Sequence, residues 1–199
     1  MSRDTLILEG IVTTTSAAGE VNIAPMGPRV DQQMKSFTLR PFQTSQTFKN
    51  LKEHGEGVFH VVDDVMMLAQ AAVGSIEPAP VLMMATKIRG YILQEACRFY
   101  EFTVLRLDDR HERAEIDVKV AATGKLHEFF GFNRAKHAVV EAAILATRVQ
   151  LLPRQQLLNE LVRLSVPVDK TGGSREREAF QFLSAYIEQH ATTGNGASA

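Results

Sequence analysis

The spacing of apolar residues changes once along this chain, and that change restricts the fold more than any single motif. Ile116, Val118, Val120 and Ala122 alternate with Glu115, Asp117, Lys119 and Ala121, the period of two expected where one face of a strand is buried. Past Gly131 the spacing becomes helical. Ala135, Ala138, Val139, Ala142, Leu145, Ala146 and Val149 fall on one face of a helix that Asn133 can cap and that runs to about Leu151. Pro153 suits the first turn of a second helix carrying Leu157, Leu158, Leu161 and Leu164. Ser174 can cap a third, with Phe182, Leu183, Tyr186 and Ile187. Strands first and helices last predict an α+β chain rather than alternating βαβ units.

The region before Glu115 reads mostly as strands. Leu6 to Thr15 is rich in Leu, Ile, Val and Thr, which suit a pleated, half-buried surface. The turn Ala17-Ala18-Gly19-Glu20 and a short strand, Val21 to Ala24, complete a hairpin. Pro25-Met26-Gly27-Pro28 is expected to end it, because proline cannot donate to a ladder. Ser36 to Arg40 predicts a third strand. Ser45 to His54 predicts a helix, capped by Thr44 or Ser45 and ended by Gly55. A strand at Gly57 to Val62 and a short helix at Val65 to Val73 follow, the helix started by Asp63-Asp64 and stopped by Gly74. From Lys87 to Ala122 the chain reads as β again, with a turn at Asp108-Asp109.

Composition narrows the function classes. The formal net charge is -1, and the basic residues are scattered among acids, as in Arg175-Glu176-Arg177-Glu178. Neither nucleic acid nor an anionic membrane is an expected partner. One cysteine, Cys97, allows no intrachain disulfide. The stretch Met1-Ser2-Arg3-Asp4-Thr5-Leu6 lacks a signal-peptide core, and no apolar run approaches the roughly 20 residues that span a bilayer. A cytoplasmic location is expected. The six histidines (His54, His60, His111, His127, His137 and His190) lie in no metal-ligand pattern. Gly55-Glu56-Gly57 precedes a strand, where a dinucleotide fingerprint follows one. Lys170-Thr171-Gly172-Gly173-Ser174 lacks the Gly-Lys-Ser/Thr order of a phosphate loop and is expected to be a flexible interhelical link. Ser75 has no nucleophile elbow around it.

One segment does carry a binding signal. Thr44, Ser45 and Thr47 cluster at the start of the predicted Ser45–His54 helix, with Arg40 a few residues upstream and no acid before Glu53. Free N–H groups and the positive end of the helix dipole sit at the same place. A phosphate there would take the place of the missing carboxylate. An ordinary Ser/Thr cap on a surface helix accounts for the same residues. Asn50 lies three residues after Thr47, on the same face, and could present an amide to the same ligand; a solvent-exposed Asn is the plainer alternative. Asn22-Ile23-Ala24-Pro25-Met26-Gly27-Pro28 combines a residue depleted in strands with small and rigid neighbours. A flat ligand could approach that backbone closely, although a simple strand exit explains it too.

Together these segments resemble the FMN-binding split-barrel flavoproteins, the class of the flavin reductases. The resemblance rests on Asn22-Ile23-Ala24-Pro25 after the opening hairpin, and on Thr47-x-x-Asn50-Leu51 followed by Gly55-x-Gly57-Val58-Phe59-His60-Val61. Asp63-Asp64 and the stretch Gly131-Phe132-Asn133-Arg134-Ala135-Lys136 through Glu141 to Thr147-Arg148 are similar to a subfamily known only as a domain of unknown function. The resemblance implies a six-stranded Greek-key split β-barrel over 1–130 and a helical subdomain packed on it over 131–190; the tail over 191–199 is small and polar and is expected to be disordered. It implies a homodimer with FMN, rather than FAD, at the subunit interface. Thr44, Ser45 and Thr47 would hold the phosphate, Arg40 would add charge, and Asn50 would reach the ribityl chain or ring edge. Asn22, Ala24, Pro25 and Met26 would line the ring, with His127, Asn133 and Arg134 as further contacts. A Thr47→Glu change is then expected to weaken FMN binding while sparing the fold. The implied activity is that of a flavin-dependent oxidoreductase with a small-molecule electron donor or acceptor. The alternatives are a non-catalytic flavin binder or electron carrier, and a barrel that has lost flavin. No catalytic acid or base is identified.

Overall fold

The computed structural model describes Leu6 to Ala191, so the expected tail lies outside the described residues apart from Ala191. Two compact units are present. One comprises Met1–Asp63 and Glu77–Phe129, the other Asp64–Ile76 and Phe130–Ala199.

The first unit contains β1 (Leu6–Ile7), β2 (Gly10–Thr15), β3 (Val21–Met26), β4 (Arg29–Val30), β5 (Ser36–Leu39), α1 (Gln46–His54), β6 (Glu56–Val61), β7 (Leu82–Met84), β8 (Tyr91–Leu93), β9 (Arg98–Asp108) and β10 (Glu115–Lys125). Hydrogen bonds order its large sheet β1-β4-β5-β10-β9-β6-β2-β3. The two ends of that order belong to one hairpin. β1 leads into β2 and β3 into β4, and the Leu8 N–H donates to Pro28 O at 3.2 Å between the two halves. On its outer sides the ribbon bonds β6 through β2 and β5 through β4. It thereby closes the sheet into a split barrel, with β5 beside β10 rather than beside its chain neighbour β6. Pro25 does not end β3, as its sequence suggested. The strand runs through it to Met26, because β3 bonds only to β2 and its other edge needs no donor.

The alternation of β2, β6 and β9 produces two buried layers. Val12, Phe59 and Tyr100 are register partners on the inner face. There they join Phe37, Phe102, Ile116 and Val118, with Phe48 and Leu51 of α1. The Phe37 and Phe59 rings lie 5.7 Å apart, although their strands are not neighbours in the sheet, so they meet across the barrel. Gly10 permits the tight β2–β6 approach, since a Cβ there would collide with the His60 carbonyl oxygen. The outer face holds Ile11, Thr13, Val58, His60 and Glu101, each 0–1% exposed. Three of these are polar, and all three bond the backbone of the segment around β7 and β8. Thr13 Oγ1 donates to Tyr91 O (2.5 Å), His60 Nε2 accepts from Leu93 N (3.1 Å), and Glu101 accepts from Thr86 N, Thr86 Oγ1 and Lys87 N (2.9, 3.0 and 2.6 Å). His60 Nδ1 faces Ile11 O at 3.1 Å, so the ring is neutral with its proton on Nδ1. Burial pushes its pKa down to about 4, against a smaller upward pull from that carbonyl.

The second unit is helical: α2 (Val65–Val73), α3 (Arg134–Ala146), α4 (Arg154–Thr171) and α5 (Ser174–His190). The sequence spacing anticipated α2 and its Gly74 stop, whose φ is 78°. Other boundaries differ. α3 stops at Ala146, short of Leu151, and Pro153 caps α4 rather than entering its first turn. α4 continues through Pro167 to Thr171, so only Gly172 and Gly173 separate it from α5. The start of α5 is held by Glu176 Oε2 accepting from Gly173 N at 2.9 Å, not by Ser174. Asp64 caps α2 and also receives Arg175 Nη2 at 2.8 Å. Ala138, Val139, Ala142, Leu157, Leu161, Leu164, Leu183 and Ile187 are buried in this unit.

Candidate flavin site

Thr14 follows Thr13 on β2 and therefore faces the other way, onto the side shared with Val12. Its register partner on β3 is Asn22. α1 lies over this end of the ribbon and turns Thr47 and Asn50, three residues apart, towards the same point. Five side chains are linked there. Asn22 Nδ2 donates to Thr14 Oγ1 at 3.2 Å and to Thr47 Oγ1 at 3.0 Å. Asn50 Nδ2 donates to Thr14 Oγ1 at 3.0 Å, and Gln46 Nε2 donates to Asn50 Oδ1 at 2.7 Å. Thr14, Thr47 and Asn50 are 1%, 2% and 1% exposed, whereas Asn22 is only half-buried. An unpaired polar group buried this deeply would cost roughly 1–3 kcal/mol, and the network removes that cost by pairing each with another.

Three of the residues singled out from sequence, Asn22, Thr47 and Asn50, are thus brought together. Thr14, which joins them, was not anticipated; in sequence it is one of the three threonines of an ordinary strand. The burial also revises one expectation. Thr47→Glu would place a carboxylate where 2% of the residue is exposed, so it would disturb the fold rather than spare it.

Ala24 and Met26 share Asn22's face of β3 and Pro25 takes the other; all three are half-buried. At the start of α1, Ser45 is the N-cap. Its Oγ accepts from Phe48 N at 3.2 Å and donates to Phe42 O at 2.7 Å. Lys49 N reaches Ser45 O. Among the described residues the N–H groups of Gln46 and Thr47 take no partner, and the first turn holds no acid. Thr44 is exposed beside them. Arg40 does not join the hydroxyl cluster. Its Nε stands 3.7 Å from Glu115 Oε1, which also receives Arg29 Nη1 at 3.3 Å, so two guanidiniums share one carboxylate.

Two of the further candidates make local hydrogen bonds. His127 Nε2 lies 3.1 Å from Gln94 O. Asn133 caps α3 by accepting from Ala135 N and Lys136 N, and Arg134 is exposed in the first turn of that helix.

This architecture is that of the flavin reductase-like split barrels. Residues 8–127 match the family described as protein of unknown function (DUF447), N-terminal domain, and residues 133–185 match protein of unknown function (DUF447). The chain belongs to the DUF447 family. Among solved structures it is similar to an FMN-bound DUF447 protein of Methanosarcina mazei, 22% identical, with a TM-score of 0.79 over 92% of this chain and 95% of that one. The styrene monooxygenase flavin reductase of Pseudomonas putida S12 is 15% identical, with a TM-score of 0.50 over 61% and 80% of the two chains. An FMN-binding protein of Thermus thermophilus is 12% identical, with a TM-score of 0.52 over 62% and 72%. No curated protein matches the chain at a significant level. At these identities the likeness establishes the fold.

Proposed function

We propose that this protein binds FMN and acts as a flavin-dependent oxidoreductase of the flavin reductase type. The observation that carries the proposal is the meeting of Thr14, Asn22, Thr47 and Asn50 where the β2–β3 ribbon adjoins α1, in a fold shared along nearly its whole length with an FMN-bound relative.

The donor set fits the cofactor. The unpartnered N–H groups of Gln46 and Thr47, with Thr44 and Ser45 beside them, suit a phosphate. Arg40 contributes positive potential, because Arg29 already shares its counterion Glu115. Asn22, Ala24, Pro25 and Met26 offer the backbone of an edge strand, with Asn22, Ala24 and Met26 on one face and Pro25 on the other. Thr47 bonds the Asn22 amide, and Asn50 bonds Thr14 beside it, which fixes the position of Asn22. The phosphate position ends at one helix N-terminus, and no dinucleotide fingerprint follows a strand in the sequence, which favours FMN over FAD. When bound, the flavin supplies hydride and electron transfer, and the protein supplies binding and orientation.

The partners we propose are a second copy of the chain, with FMN between subunits, and a small-molecule electron donor or acceptor. Phe130 and Phe132, 92% and 94% exposed, are surface of the kind an interface covers. No described helix is long and apolar enough to cross a membrane; a cytoplasmic location is part of the proposal.

A second reading, a non-catalytic flavin binder or electron carrier, is favoured by the chemistry of the cluster itself. Its hydrogen-bonded members are neutral amides and hydroxyls. The visible spectrum of freshly purified protein, with chromatography of the cofactor released by heat, tests FMN binding; colourless protein that ignores added FMN would defeat the proposal. Oxidation of NADH or NADPH by the flavin-loaded protein separates the enzyme from the carrier. Light scattering is expected to give the mass of two chains.

A further inference from the structure

The β7–β8 hairpin is held by the barrel along one edge. Its register pairs Leu82 with Leu93, Met83 with Ile92 and Met84 with Tyr91. Ala85 N donates to Gly90 O at 2.9 Å and Gln94 N donates to Val81 O at 3.0 Å, which sets the phase of the ladder. Residues 81, 83 and 85 therefore bond β8, and the N–H and C=O groups of Leu82 and Met84 point the other way. β8 obeys the same phase, since Tyr91 O and Leu93 N on its far edge are the groups that Thr13 and His60 bond. The barrel thus clamps β8 and presents the opposite edge of β7. Among the described residues, the backbone groups of Leu82 and Met84 have no partner. Groups left unpaired within a chain are satisfied by water or by another chain.

This edge lacks the charges that usually blunt one. Val81-Leu82-Met83-Met84-Ala85 carries none, where an exposed edge ordinarily holds a lysine or another charged side chain. Val81 and Met84 are 55% and 80% exposed. The edge also has defined ends. Pro80 has no N–H to offer, and Thr86 N donates to Glu101. The groups between them are complementary to themselves. When two copies of β7 run antiparallel with Leu82 of one opposite Met84 of the other, every free N–H meets a free C=O, in four hydrogen bonds. Met83 then lies on the two-fold axis, and no like charges face each other across the pair.

We propose that β7 is where two copies of this chain meet, pairing antiparallel about Met83 to form one sheet in the order β8-β7-β7-β8. The inference deepens the second-copy partner proposed above and rests on it. A two-fold axis through an antiparallel strand pair is an isologous contact, the kind that closes a dimer. A second copy is favoured over an unrelated extended peptide because its own edge supplies the same groups, over the same span, without a charge. A three-residue strand makes a modest contact, so the dimer is expected to dissociate on dilution.

Light scattering of the full chain over a range of concentrations tests this. Wild type is expected to approach the mass of two chains as concentration rises. Leu82→Pro removes one edge N–H from each copy without touching the bonds to β8, and should weaken dimerisation on the order of 10-fold. Met84→Lys, at an exposed position beside the axis, should weaken it by about as much. Leu105→Lys, at a residue 65% exposed on β9, should leave the mass unchanged. Met83→Cys reads the register: facing residues on the axis stand about 4.5 Å apart at Cα, within disulfide range, so mild oxidation should yield a covalent dimer. Cys97 is buried and gives no background. Circular dichroism checks that each variant is folded. A dimeric wild type whose mass neither Leu82→Pro nor Met84→Lys lowers, or a Met83→Cys variant that fails to cross-link, would overturn the β7 contact and leave the proposed dimer on another surface. A wild type that stays a single chain at every concentration would remove both. FMN titration of the same samples reads the flavin proposal separately.

Discussion

Thr13 and Thr14 are consecutive, chemically identical and each 1% exposed, yet they belong to different systems. Thr13 faces the outside of the barrel with His60 and Glu101. Every bond given there by the three goes to the β7–β8 segment or to another strand: Tyr91 O, Leu93 N, Thr86, Lys87 N and Ile11 O. Thr14 faces the other side and bonds only side chains, Asn22 and Asn50. The first set ties a separate segment to the barrel, while the second ties side chains of β2, β3 and α1 to one another. Burial alone therefore does not distinguish a staple from a binding site; the identity of the partner does. A side chain that pairs with backbone fixes a segment, and one that pairs with another side chain can fix the direction in which that side chain points.

Removing the strongest staple should break the first set most visibly. Glu101→Ala would orphan three donors, and hydrogen bonds to a charged group contribute roughly 1.5–3 kcal/mol each. Allowing for relaxation, urea unfolding is expected to show a loss on the order of 4 kcal/mol. A loss below about 1 kcal/mol would mean that the Thr86–Lys87 backbone does not depend on Glu101.

His60 should make the same set sensitive to acid. Its folded pKa, about 4, lies below its ordinary 6.5, so the unfolded chain binds the proton more readily. Its contribution is complete above about pH 6.5, declines as the pH falls through the window, and is exhausted near pH 4. The full span corresponds to about 3 kcal/mol. Denaturant titrations at pH 7 and pH 4.5 are expected to show wild type losing more stability than His60→Gln. Equal losses would argue that the ring is not held neutral.

The paired threonines provide the sharpest contrast. Thr13→Val should cost about 1 kcal/mol of stability and leave FMN affinity unchanged. Thr14→Val should cost a similar amount and weaken FMN binding by about 10-fold. Equal effects on FMN from both substitutions would erase the distinction between the two faces.

The smallest effect is expected at Arg40. Exposed pairs contribute roughly 0.2–1 kcal/mol, and Arg40 is more than a third exposed and already faces Glu115. Arg40→Met should weaken FMN binding by about 2–3-fold in dilute buffer and not at all at high salt, where long-range potential is screened. A salt-independent loss would indicate direct phosphate contact instead.

Local chemistry made much of this molecule legible without coordinates. The period-two run at Glu115–Ala122 lies within β10, the caps Asp64 and Gly74 bound α2, and Gly55 ends α1 in the left-handed conformation. The strand-then-helix order specified an α+β chain, because each signal lies within a few residues of what it controls. Asn22, Thr47 and Asn50 stood out for the same reason, as residue types unusual for their local positions. What the tertiary structure alone decided is which neighbours those side chains acquire. Closure of the barrel requires β1–β2 and β3–β4 to act as one ribbon bonded to β6 and β5, strands brought together over long stretches of chain that no periodicity encodes. That closure places Thr14 under α1, turns an ordinary strand threonine into the hub of the cluster, and buries Thr47, which the sequence suggested would face a phosphate. Hydrogen bonds between side chains depend on distances of about 3 Å between elements far apart in sequence, and those distances exist only once the sheet has curled.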